Sequence, residues 1–169
     1  ALGNRSIIAS AQNRDMQKLL NYKIKFREGF RPFAPIILED YLHDWFETKL
    51  QDSKYMLFTS RVKKDKIYEK SYNDIIEANG FDKLNVLRSK IQSVTHVDYS
   101  ARFQTINKNN AGIYDLLKRY NDITSVPVLI NTSFNINDEP IVCSPKDAIN
   151  TFYVTNIDYL VLENCVICK

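Results

Sequence analysis

Glycine is scarce: four in 169 residues leave too few for most phosphate-cradling loops, and neither a P-loop pattern nor G-x-G-x-x-G occurs. A nucleotide bound here is therefore expected to be held by side chains. Cys143, Cys165 and Cys168 are an odd number with no repeated pairing, which argues against a secreted disulfide framework. Cys165 and Cys168 have C-x-x-C spacing, but His43 and His96, the two histidines, are distant and unpaired in sequence, so a zinc site would need ligands converging from elsewhere. With no helix after them to lower a thiol pKa, a redox role is weak too, and two cysteines on a last strand are expected. No run approaches the roughly 18 apolar residues of a membrane span, and no basic, apolar, small-residue order marks a signal peptide. The expectation is a cytoplasmic protein.

What is present suits one globular domain. A 19.7 kDa chain can bury roughly 70% of its unfolded surface without staples. Its formal charge of +3 is too small to argue by itself for nucleic acid, so local clustering of charge matters more.

Hydrophobic periodicity orders the elements. Residues 5–10 read as a strand and 14–23 as a helix, with Met16, Leu19, Leu20 and Lys23 at helical spacing. Residues 33–38 read as a strand held between Pro32, Pro35 and Asp40, followed by Tyr41, Leu42, Trp45 and Phe46 on a helical face. Residues 55–62 alternate poorly, as a strand buried on both faces would. Charge is dense over 63–90, where Tyr72, Ile75, Ile76 and Phe81 predict a short helix ended by Gly80, in a segment read as an insertion. Residues 101–106 predict a strand, 112–121 a helix with Ile113, Leu116, Leu117 and Tyr120 on one stripe, and 126–131 a buried β-branched strand. Ser144, Pro145 and Asp147 predict an N-cap, with the helix running to about Val154 and a closing strand over 157–167. Interleaved helices and strands without repeats give an α/β or α+β domain around one sheet.

Two polar stretches carry the chemistry. Lys25, Arg27 and Arg31 place three cations within seven residues, and Asn131, Thr132, Ser133 and Asn135 bring amides and hydroxyls to a strand end, where α/β sheets usually bind ligands. Guanidinium forks and a lysine suit phosphate. Each element has a plain alternative: a lone cation is usually a solvated surface charge, and Asn-Thr-Ser after a strand can be an ordinary turn. If residues 24–30 are extended, Lys25 and Arg27 share one face, and Arg31 joins them only through a turn near Gly29. Arg5 and Arg102 are further candidate cations. His96 and Asp98, two apart, could be a metal pair, an acid–base unit or a structural turn.

These residues also carry a resemblance. Ala1-Leu2-Gly3-Asn4-Arg5-Ser6, then Lys25-Phe26-Arg27-Glu28 with Phe30-Arg31-Pro32-Phe33-Ala34-Pro35, come first. Thr95-His96-Val97-Asp98 with Ala101-Arg102-Phe103-Gln104-Thr105 follows, and then the stretch from Pro127 to Asn135 with Glu139-Pro140-Ile141-Val142. In that order they resemble the C-terminal domain of the NodU/CmcH/TobZ O-carbamoyltransferases from end to end. Gly-Pro-Arg usually precedes Ala1 in that family, so the chain is expected to be a domain, residues 1–169, of a longer protein. Tyr99 stands where the family commonly has a small residue, and Asp138 where it usually has glycine. No family motif falls on 63–90.

The resemblance implies a YrdC-like twisted mixed sheet with flanking helices. It implies a domain that binds ATP and carbamoyl phosphate and forms carbamoyl-adenylate, releasing pyrophosphate and phosphate. The Lys-x-Arg and Ser-x-Asn signature of YrdC-like proteins falls on Lys25, Arg27, Ser133 and Asn135. Lys25, Arg27 and Arg31 are the expected catalytic cations: Lys25 and Arg31 on carbamoyl phosphate or the triphosphate, Arg27 with Arg102 neutralising phosphate oxygens. Arg5, Asn131, Thr132, Ser133 and Asn135 are expected to bind the nucleotide, and His96 to line the site. Magnesium is expected to bridge phosphates. Transfer to a hydroxyl acceptor, and the iron it uses, are expected in an N-terminal domain absent from this chain and counted as its partner. Two alternatives are an RNA-binding module, disfavoured because the aromatics read as core stripes rather than platforms among cations, and a non-catalytic scaffold.

Overall fold

The computed structural model describes residues 2–169. In chain order the elements are β1 (Ser6–Ser10), α1 (Met16–Leu19), β2 (Ala34–Leu38), α2 (Leu42–Trp45), β3 (Thr59–Arg61), α3 (Ser71–Glu77), β4 (Ser100–Arg102), β5 (Gln104–Ile106), α4 (Ala111–Thr124), β6 (Val128–Ser133), α5 (Pro145–Val154), β7 (Tyr159–Leu162) and β8 (Cys165–Cys168). A mixed sheet in the order β1-β6-β2-β5 forms the centre, with β6 antiparallel to β1 and β2, and β2 parallel to β5. The α+β expectation holds, with two short antiparallel ribbons, β3–β4 and β7–β8, added to the one expected sheet.

Strand β2 reads Ala-Pro-Ile-Ile-Leu and is buried throughout, as a strand covered on both faces should be. Its proline is tolerated because β5 pairs only from Ile36 onward, so no ladder partner waits for the missing Pro35 N–H. Alternation along the strands feeds two cores. Ile7, Ile37, Val128 and Ile130 join Trp45, Phe46, Phe103 and Phe152 on one face, while Ile36, Leu38, Ile106 and Leu129 meet Ile113 and Leu117 of α4 on the other.

Local signals explain the helix ends. The Ser144 hydroxyl accepts from Asp147 N, and the Asp147 carboxylate accepts from Ser144 N, closing a capping box ahead of α5. Helix α4 stops at Ser125, which is left-handed at φ 58° and donates its N–H to Asn121 O. Leu116 lies exposed, so the stripe of α4 is narrower than its sequence suggests.

Four other expectations are corrected. Of 55–62 only Thr59–Arg61 is strand, and Tyr55, Leu57 and Phe58 are exposed rather than buried on both faces. The strand over 101–106 breaks into β4 and β5 at Phe103, whose ring is buried against Phe46 at a centroid distance of 4.9 Å. The closing strand over 157–167 is a hairpin, turned where Glu163 adopts φ 51°. Within 63–90 the helix ends at Glu77, ahead of Gly80, and Ile76 and Phe81 are exposed; the segment is anchored instead through buried Arg88.

Candidate functional site

Helix α1 runs directly into a π-helical turn, Leu20–Ile24, in which Lys25 N reaches Leu20 O at 2.7 Å. Such wide turns recur at functional sites. Residues 24–30 are therefore not extended: Lys25 is still helical, and Phe26 is left-handed at φ 50°. That reversal sends Arg27 N back to Asn21 O at 2.9 Å. Lys25 and Arg27 thus owe their positions to a helix C-terminus, whose partial negative charge favours cations, and not to strand alternation. The expected turn at Gly29 is present, with Arg31 N donating to Glu28 O at 3.2 Å.

Lys25 is 3% exposed, and its ammonium meets four oxygens at the end of β6. It donates to the backbone oxygen of Ser133, to Ser133 Oγ (3.2 Å), to Asn135 O (3.0 Å) and to Asn135 Oδ1 (2.8 Å). The Ser133 hydroxyl donates in turn to Asn135 Oδ1 at 2.6 Å, and Asn135 Nδ2 is fixed by the carbonyls of Ile136 and Glu139. An ammonium has three protons, so these oxygens already share them all. Lys25 can grip an anion only by exchanging one of them. Burial, aided by the nearby Arg27 charge, lowers its pKa from 10.5 to about 8.

Arg27 is half-buried. Its Nε donates to Asn21 Oδ1 at 2.7 Å and its guanidinium lies 4.8 Å from the centre of the Phe33 ring. Its terminal nitrogens have no hydrogen-bond partner among the described residues and remain available to an anion. Burial lowers its pKa, helped by the Arg31 charge and opposed by Glu28. Arg31 is exposed and pairs with Glu28 at 2.7 Å, a contact an anion must compete with. Tyr22, Phe26 and Phe30 are exposed around this loop, and Phe30 stacks on Phe81 at 5.5 Å, so the aromatics are not all core stripes.

The other expected residues are dispersed. Arg5 is exposed at the start of β1 and reaches Val142 O at 3.4 Å. Asn131 and Thr132 lie within the β1–β6 ladder opposite Ile8 and Ile7; Asn131 Oδ1 is buried without a hydrogen-bond partner. His96 and Arg102 belong to a different cluster. Ser100 Oγ donates to Asp98 Oδ1 at 2.7 Å and lies 3.3 Å from His96 Nδ1. Burial holds the His96 pKa below its ordinary value, against Asp98 and with the Arg88 and Arg102 charges. No hydrogen bond or ion pair among the described residues links this cluster to Lys25. Nor does any group of three metal-ligating His, Cys, Asp or Glu side chains converge among them, and no helix there is long and apolar enough to cross a membrane.

Sequence reasoning missed Asn21 and Arg88. Asn21 is fully buried, and a lone amide between Leu20 and Ile24 in an apolar helical run was the available signal. Arg88 is 1% exposed with no carboxylate partner; its guanidinium donates to the carbonyls of Lys83, Val86 and Thr95 at 2.8 to 3.1 Å. Nothing in the charge-dense sequence around Arg88 distinguishes it from solvated neighbours.

Fold and loop together define an α+β domain in which a cation-rich helix end is tied to a strand end. Residues 1–169 match the family described as Carbamoyltransferase C-terminus, and the chain belongs to that family. It is 46% identical over 170 residues to the protein named Uncharacterized protein sll1178 of a Synechocystis species, covering all of this chain and 27% of that protein. It is 40% identical over 172 residues to nodulation protein NolO of Bradyrhizobium diazoefficiens, covering all of this chain and 28% of that one. Against nodulation protein U of Rhizobium tropici identity is 38% over 138 residues, 81% of this chain and 20% of that protein. The chain spans about a quarter of the length of such relatives. The expected NodU-type C-terminal domain is thereby established.

Proposed function

We propose that this domain binds ATP and carbamoyl phosphate and makes carbamoyl-adenylate for a hydroxyl-directed carbamoyl transfer completed elsewhere in the longer protein. The observation that carries the reading is the direct clamp of Lys25 on Ser133 and Asn135, beside the free terminal nitrogens of Arg27. Water first releases phosphate from carbamoyl phosphate to leave carbamate. A carbamate oxygen then attacks the α-phosphorus of ATP, and pyrophosphate departs with the electron pair of the broken P–O bond.

Such a displacement rests on positioning and charge neutralisation, which cations and a fixed hydroxyl supply. In this reading Arg27 and Arg31 face phosphate oxygens, Ser133 and Asn135 orient the nucleotide, and Lys25 gives up a protein oxygen as the anion enters. Magnesium would travel with the nucleotide on its phosphate oxygens. Arg5, Asn131, Thr132, His96 and Arg102 would join only from their separate positions.

Incubation of the protein with magnesium, ATP and carbamoyl phosphate should release pyrophosphate only when all three are present. No pyrophosphate under those conditions overturns the reading. The exposed Tyr22, Phe26 and Phe30 beside Arg27 and Arg31 favour RNA as a second reading. Sequence-tolerant RNA binding that falls steeply with salt, without pyrophosphate release, would select it.

A further inference from the structure

Asn21 commits three side-chain hydrogen bonds to the loop that carries the cations. Its Oδ1 accepts from Arg27 Nε at 2.7 Å, while Nδ2 donates to Arg31 O at 2.9 Å and Gly29 O at 3.3 Å. Its own carbonyl accepts from Arg27 N at 2.9 Å. Its exposure is 0%, so water cannot substitute for any of these contacts. Gln17, one helical turn earlier, adds a weaker second hold on Arg31 O at 3.2 Å.

We infer that Asn21 is the positioning residue of the cation loop: its buried amide sets the Arg27 guanidinium and the backbone carrying Arg31 in one fixed relation. This rests on the anion-site reading above. The chemistry selects an amide. The acceptor on one end matches a guanidinium N–H and the donor on the other matches two carbonyls, so a carboxylate would satisfy the first and repel the second. Engaging Arg27 through Nε leaves both terminal nitrogens without a hydrogen-bond partner among the described residues, free to meet a phosphate. An apolar replacement would free Arg27 to rotate, would remove the Asn21 donor from the Gly29 carbonyl and would leave Arg31 O to Gln17 alone. The π-helical turn makes this possible, since the wide turn ahead of Phe26 brings Arg27 back over Asn21.

The test compares Asn21→Ala, Asn21→Asp and a control, Leu117→Ala, which truncates the core under α4 away from the loop. Two readouts are taken: the calorimetric dissociation constant of Mg-ATP, and the nitrogen-15 signal of the Arg27 Nε–H. Asn21→Ala should weaken Mg-ATP by about tenfold or more and abolish the exchange-protected Nε–H signal, the worth of one buried charged hydrogen bond. Asn21→Asp should keep the Nε–H signal and weaken Mg-ATP less. Leu117→Ala should lower the thermal midpoint while leaving both readouts at parental values. Parental Mg-ATP affinity in Asn21→Ala, or an equal loss in Leu117→Ala, overturns the inference. A parent that shows the protected signal but binds no Mg-ATP overturns the ligand reading and upholds the Asn21–Arg27 link.

Discussion

The ammonium of Lys25 lies 2.8 Å from the amide oxygen of Asn135, joining residues 110 apart in sequence through the end of β6. Loop and strand end are therefore one unit, with Lys25 as both its tie and its charge.

Replacing Lys25 with methionine removes the tie and the cation together. Carbamoyl-adenylate formation should fall by about 2 to 4 kcal/mol in transition-state stabilisation, the range for a lost electrostatic contact. Arginine should not restore it, because a planar fork cannot enter a cage shaped for a compact ammonium. Initial rates of pyrophosphate release check both variants.

The lysine also makes stability depend on pH. Its folded pKa of about 8 lies below the ordinary 10.5, so between those values the unfolded chain binds more protons and stability rises with pH. The cost of the buried charge is full below about pH 8 and relieved as pH climbs toward 10.5. Mg-ATP affinity should move oppositely, falling as Lys25 loses its charge. Urea unfolding of the parent and Lys25→Met across that window should show stability rising with pH more in the parent than in the variant.

Asp138 has φ 61°. An exposed non-glycine residue in that region is strained, and Asp138→Gly should gain about 0.5 to 1 kcal/mol, whereas Asp138→Val should lose about 1 kcal/mol or more. Urea midpoints would show the sign. Tyr99 is also left-handed at φ 65°, but its hydroxyl meets Ser71 Oγ at 3.2 Å and its ring packs on Tyr72. It is a keystone between the 63–90 segment and the His96 turn.

Arg88→Met should destabilise the fold by about 3 kcal/mol, since several buried carbonyls lose a charged donor at once. Arg88→Lys should recover little, having no fork to reach Thr95 O twice. Proteolysis within 63–90 should accelerate in both.

Cys165 and Cys168 are exposed on β8, three residues apart and thus on opposite faces of the ribbon. The double serine variant should stay within about 0.5 kcal/mol of the parent in urea unfolding.

Much of the fold was legible because its causes are local. Short apolar and β-branched runs placed β1, β2 and β6; the Ser144, Pro145 and Asp147 pattern set the start of α5; and the clustering of Lys25, Arg27 and Arg31 was visible as composition. Where sequence reading failed, the deciding partner was remote. The break at Phe103 depends on the Phe46 ring, and the burial of Arg88 depends on carbonyls supplied by a folded segment.

Periodicity and composition alone specified an α/β or α+β domain with a cation-rich loop and a polar strand end. That the two meet through Lys25, that Asn21 holds Arg27, and that His96 and Arg102 stand in another cluster became visible only in the folded chain. The physical reason is that periodicity records which face of an element is apolar. A hydrogen bond between residues 110 apart leaves no period behind, because its partner is chosen by the path of the whole chain.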